Sequence, residues 1–231
     1  MRATILLMTI VLLSGGLDSA VLLAHEAQRA APVVPVYVSV GLAWEAAERR
    51  MLAQLLATPP YQHGIAPLET VEFTMRDVYA PTHWAIVGTP PAYDTPDEAV
   101  YLIGRNLVLL AKAGVVAVTR KASRLVLGPL AGNPFPDATP EFFAAMQRAL
   151  TLGLNYDLTV ETPFVRMHKE DVIRLGDRLG LPMALTLSCM NPVDAPTPLH
   201  CGQCSKCRER RDGFAAAGIP DPTAYASPRP R

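Results

Sequence analysis

The sequence predicts an α/β protein: a Rossmann-like, doubly wound parallel sheet with a small zinc-binding segment at its C-terminal end. Three observations lead there. Short apolar runs rich in β-branched residues alternate with amphipathic stretches of helical period along most of the 231 residues, as a parallel sheet covered on both faces requires. The first run passes straight into Ser14-Gly15-Gly16-Leu17-Asp18-Ser19 and then into an apolar helix. All the cysteines, Cys189, Cys201, Cys204 and Cys207, lie in the last quarter of the chain.

Residues 9–13 read as a buried strand and residues 17–31 as the helix after it. Gly15 and Gly16 between them let backbone approach an anion closely. The helix start adds free N–H groups and a positive dipole end. Ser14 and Ser19 supply hydroxyl donors, and Asp18 is suited to hold the magnesium ion (Mg2+) that accompanies a nucleotide. The turn therefore reads as a phosphate site, with Leu17 at its helical end, rather than as an ordinary connection. Residues 33–40 are a second buried strand. Residues 44–56 are a helix with Glu45, Glu48, Arg49 and Arg50 on its wet side, ended by Pro59-Pro60.

Residues 68–73 form a third strand, and the Pro-, Thr- and aromatic-rich stretch 81–96 reads as a loop over the active face. A helix over 98–113, a strand over 124–127 ending at Gly128, a helix over 140–152, a strand over 158–165 and a helix over 169–179 complete the alternation. Ligands of such sheets sit beyond the carboxyl ends of the strands. Residues 1–185 are expected to form the nucleotide-binding domain, and residues 186–231 the segment packed on it.

Charge is balanced, 21 basic against 21 acidic residues. That removes the global field expected of a nucleic-acid or anionic-membrane binder. The apolar stretch 5–13 resembles a short signal peptide, but it lacks a small-residue cleavage site and runs into the phosphate turn. It is too short to span a bilayer. The chain reads as cytoplasmic, with Met8 an alternative start.

Cys189, then Cys201-Gly202-Gln203-Cys204-Ser205-Lys206-Cys207, is an array for one ion. Four thiolates satisfy tetrahedral zinc (Zn2+), close its shell and make the site structural, pinning a helix over 208–217. An iron–sulfur cluster is the rival that the same spacing admits.

Arg105, in Gly104-Arg105-Asn106 at a helix start, opposes the dipole and so points to an anion; a surface salt bridge is the alternative. Lys169, at another helix start, is a second candidate for phosphate charge, or a solvated lysine. The loop 128–137 brings Asn133, Phe135 and Asp137 after a strand, a set able to stack on and read a flat heterocycle. Asp137 or Thr139 equally reads as a helix cap.

With these residues in hand, the chain resembles the PP-loop adenine-nucleotide alpha hydrolases through Ser14–Ser19. Within them it resembles the 7-cyano-7-deazaguanine synthase family. The match rests on Gly104-Arg105-Asn106, Phe135-Pro136-Asp137 with Pro140-Glu141-Phe142, and Thr162-Pro163 with Lys169. Ser188-Cys189, the run from Cys201 to Arg208, Gly213-Phe214 and residues 217–222 complete it. Two segments depart: Val38-Ser39-Val40-Gly41-Leu42-Ala43-Trp44-Glu45 replaces the family's Tyr-Gly-Gln-Arg-His stretch, and Pro136-Asp137-Ala138-Thr139 its Pro-Asp-Cys-Arg.

The resemblance implies an ATP-dependent ligase acting on a deazapurine carboxylate and ammonia, giving an amide and then a nitrile, in a homodimer. Asp18 would hold the metal, Arg105 and Lys169 would stabilise phosphate or adenylate charge, and Arg105, Asn106, Phe135 and Asp137 would meet the substrate. A PP-loop enzyme acting on another acid or a tRNA base, and a non-catalytic nucleotide binder, are the alternatives.

Overall fold

The computed structural model describes residues 8–29 and 32–230. The expected end of the first helix at residues 30–31 and the leader-like stretch before Met8 lie outside them. Strand β1 (Met8–Leu12) sits at the centre of a five-stranded sheet of order β3-β2-β1-β4-β5, and every neighbouring pair is parallel. The others are β2 (Val33–Ser39), β3 (Glu69–Glu72), β4 (Ala122–Val126) and β5 (Thr159–Glu161). In β1 and β2 nearly every side chain is buried, so the sequence there is a continuous apolar run rather than an alternating one.

Helices cover both faces. Helix α1 (Leu17–Ala27) packs with Val11, Leu13 and Val126 on one side of the sheet, together with α6 (Lys169–Arg178). On the other side α4 (Arg105–Thr119) and α5 (Pro140–Leu154) enclose Ile10, Leu12, Val36 and Leu125. Helix α2 (Glu45–Leu56) contributes Leu52 and Leu55 to the first core and Met51 to the second. The C-terminal helix α7 (Ser205–Ala217) lies against α6 and buries Phe214 in the first core.

Several boundaries differ from the sequence reading. The helix expected over 98–113 is divided. A 3-10 turn (Asp97–Val100) precedes Gly104, whose φ of 76° is left-handed, and α4 starts only at Arg105 and runs to Thr119. Gly104 adopts that conformation without a Cβ penalty and so resets the chain direction. Within the expected loop 81–96, Trp84–Val87 form a one-turn helix α3, with the His83 ring accepting from Ala85 N.

Strand β5 ends at Glu161, because Val165 N bonds back to Thr162 O around Pro163. Helix α7 begins at Ser205, not at residue 208, since Cys207 N and Arg208 N both donate to Cys204 O. Glu45 and Glu48 are not on a wet face: they are 5% and 6% exposed. Glu45 closes the β2–α2 turn, and Glu48 receives a buried tyrosine hydroxyl.

Candidate active site

The sheet order places a switch point at β1, which has β2 on one side and β4 on the other. The turn leaving β1 and the loop leaving β4 therefore open a crevice at the carboxyl ends of the strands. Gly15, at φ 81°, is pressed onto α2, where an added Cβ would lie 2.9 Å from Leu52 Cγ. Ser19 Oγ donates to Gly16 O at 3.0 Å, Ser14 N donates to Ser19 Oγ at 3.3 Å, and no side chain caps α1. The helix start thus keeps its anion-binding N–H groups.

Two further helix starts point at this turn. Lys169 Nζ donates to both Asp18 oxygens, at 2.9 and 2.7 Å, and lies 2.7 Å from Glu209 Oε1. Lys206 Nζ donates to Glu209 Oε2 at 2.6 Å. Burial works against the Lys169 charge, but Asp18 and Glu209 outweigh it and hold the ammonium protonated. Burial also opposes the Glu209 charge, yet Lys169 and Lys206 hold that carboxyl down to about 2. Lys169 is therefore an enclosed ion-pair lysine, not a solvated one.

Arg105 opens α4 behind Gly104, and among the described residues it makes no ion pair, while its Nε is buried without a partner. The surface salt bridge is thus not seen among the described residues, and a guanidinium so placed is able to bind an anion.

Two cavities of about 250 and 230 Å3 meet here, sharing Ser14, Gly16, Asp18, Glu48, Arg105 and Phe135. The first continues among Val36, Val38 and Leu109, an apolar slot suited to a flat base; Asn106 and Asn133 also line it. The second continues between Trp44 and Trp84 on one side and Lys169, Lys206 and Arg210 on the other. Phe135 stacks on Tyr101 with centroids 5.2 Å apart. Asp137 lines neither cavity. Its Oδ2 accepts from Asn106 N at 3.0 Å, and Asn106 Nδ2 donates to Asp137 O at 2.9 Å, so the pair fastens the start of α4. Thr139 caps α5, accepting from Phe142 N at 3.1 Å.

The four cysteine sulfurs lie within 4.8 Å of one another, all buried. Cys201 and Cys207 sulfurs are 3.9 Å apart, and those of Cys204 and Cys207 3.6 Å. A tetrahedron with metal–sulfur bonds of about 2.3 Å sets its sulfurs about 3.8 Å apart, so the set fits one zinc ion; a cluster of several irons would hold them wider. Asn191 N and Cys201 N donate to Cys189 Sγ at 3.3 and 3.2 Å, as thiolates at a metal receive. Gly202 is obligatory, with φ 79° and the position of a Cβ only 2.2 Å from Ser227 O. His200 Nε2 accepts from Ser188 N at 3.1 Å, and burial, with Arg210 nearby, pushes the imidazole down to about 3.

Residues 8–218 match the family described as queuosine biosynthesis protein QueC. The chain belongs to that family. It is 34% identical over 230 residues to the 7-cyano-7-deazaguanine synthase of Methanoculleus marisnigri, covering 93% of this chain and 96% of that one. The enzymes of the same name from Methanopyrus kandleri and Azoarcus sp. are 32% and 33% identical, each across 94% of this chain and, respectively, 98% and 96% of their own. No helix among the described residues is long and apolar enough to cross a membrane.

For a member of this family the site holds more than sequence reading named. Glu48 and Tyr37 line it from α2 and β2, and Lys206, Glu209 and Arg210 from α7. Arg210 is 2% exposed; it donates to Thr186 Oγ1, Ser188 Oγ and Met183 O, and so ties α7 to the segment whose Leu187 N bonds Gly15 O at 2.8 Å. Position beside the cysteines was the one available signal for the α7 residues. For Glu48 it was an acid in the first turn of a helix leaving a fully buried strand.

Proposed function

We propose that this chain is an ATP-dependent carbon–nitrogen ligase that converts 7-carboxy-7-deazaguanine with ammonia, through the amide, to 7-cyano-7-deazaguanine. The observation that carries the reading is the convergence of the Ser14–Ser19 turn, Arg105 and Lys169 on one crevice, in a chain matching its relatives over nearly its full length. The substrate carboxylate attacks the α-phosphate of ATP and pyrophosphate leaves, its charge received by the turn, Lys169 and Arg105. Ammonia then displaces AMP to give the amide, and a second activation removes its oxygen to leave the nitrile.

Asp18, whose two oxygens receive Lys169 here, is the carboxylate of the turn that would hold magnesium once that lysine turns to the phosphates, and the ion would supply neutralising charge to them. Cys189, Cys201, Cys204 and Cys207 would hold zinc, which would fix α7 and take a structural rather than a catalytic part. In this reading Asn106 shapes the slot for the base, Phe135 stacks on the substrate, and the enzyme is a cytoplasmic homodimer. The neutral overall charge supports a small-molecule substrate over a tRNA.

The test is incubation with ATP, 7-carboxy-7-deazaguanine and ammonium. AMP, pyrophosphate and the nitrile are expected. AMP without nitrile would move the reading to a paralogue acting on another acid, and AMP formed only with tRNA would overturn it.

A further inference from the structure

One buried carboxylate lines the crevice where the proposed reaction gives it no task. Glu48 is 6% exposed and stands at the junction of the two cavities. Its Oε2 accepts from Tyr37 Oη at 2.7 Å and the Trp44 indole is the other side-chain donor beside the carboxylate, which leaves lone pairs for a ligand. Glu45, one turn earlier, is different: its oxygens are fully used by Ser39 Oγ, Val40 N and Gly41 N, at 2.5, 2.8 and 3.0 Å. Asp137 is also used, by Asn106.

An ionised carboxylate only accepts hydrogen bonds. A buried one therefore favours a ligand that presents N–H groups to it and disfavours one that presents acceptors, which leaves both sides unsatisfied. Around Glu48 the walls include flat aromatic rings: Trp44, stacked on Trp84 at 5.8 Å, and Phe135.

We propose that Glu48 is the substrate-reading acid of this chain, accepting from the ring N–H and exocyclic amino group of a flat heterocyclic acid. It takes the part that the resemblance gives to Asp137, and this rests on the proposed function for the identity of the acid. The segment 38–45 that departs from the family runs directly into the helix turn carrying Glu48, so the change of sequence and the reading group sit together. Burial pushes the Glu48 carboxyl up to about 7; Arg105, Tyr37 and Trp44 pull it down, and Glu45 adds to the rise. N–H donors from a ligand complete what those three begin, favouring the charged form that binds them.

The experiment is equilibrium binding of 7-deazaguanine and of 7-deazahypoxanthine, which lacks the amino group, to the full-length protein. Wild type binds the amino-bearing base about ten- to a hundred-fold more tightly, the worth of one hydrogen bond to a charged group. Glu48→Gln, and Glu48→Asp should the first variant fold poorly, reduce that preference to within a few-fold. Asp137→Asn keeps it. No preference in wild type, an unchanged preference in the Glu48 variants, or equal weakening toward both bases overturns the inference. Pyrophosphate release with 7-carboxy-7-deazaguanine is measured beside it: absence of turnover with the preference intact refutes the proposed reaction and leaves Glu48 as the reader.

Discussion

Lys169→Met is the most informative single change, because methionine keeps the stem that packs on Gly213 and removes only the charge. In the native site one ammonium separates two carboxylates, Asp18 and Glu209, each within 2.9 Å of it. Without it those groups face each other about 4.5 Å apart, the distance set by two hydrogen bonds to one nitrogen. At an effective dielectric of about 20 their repulsion is about 3–4 kcal/mol, close to the 3–5 kcal/mol typical of breaking a buried pair. For a domain of this size the melting temperature should fall by about 10 °C at pH 7.

The sign of the pH dependence follows. In the variant Lys206 alone still pulls on Glu209 while Asp18 repels it, so that carboxyl is held down less than in the native protein. The native Glu209, held near 2, gives stability that is lost only below about 4.5. The variant has less of that stability to lose, so its deficit shrinks as pH falls from about 4.5 toward 2. Adding Glu209→Gln removes the repulsion and restores much of the loss. Thermal unfolding of the single and double variants at pH 7 and pH 3 is the assay. A loss equal at pH 7 and pH 3, or no recovery in the double variant, would refute the ion-pair argument.

Other consequences are as specific. Metal analysis should return about one zinc per chain, and chelation should expose α7 amides to hydrogen exchange before those of β1 and β2, since the cysteines fix only one end of the fold. Gly202→Ala should lower stability by several kcal/mol, because a methyl there meets backbone rather than a movable side chain, and denaturant titration will register it. Glu48→Gln should be more stable than wild type above pH 7, by up to about 3 kcal/mol. The native carboxyl titrates near 7 against an unfolded value near 4.5, so ionising it lowers stability as pH rises through that window. The two proteins should converge near pH 4.5, and unfolding curves across that range decide it.

What the chain alone determined is what neighbours in sequence determine. The phosphate turn, the strands on either side of it and the cysteine array are local patterns, and each follows from backbone conformation, apolar period or ligand spacing within about twenty residues. Helix starts were legible at Arg105 and Lys169, because a cation at the positive end of a dipole needs a partner. The partners themselves were not: Lys169 meets Asp18 across 151 positions, and Glu209 arrives on a helix that the cysteines orient. Glu45 and Glu48 looked like a solvated face, since helical period alone does not say that a second layer of chain will cover it. Asp137 stood between two roles until the fold placed Asn106 N beside it. Burial and charge pairing depend on which distant segments share a boundary with water, so only the folded chain assigned them.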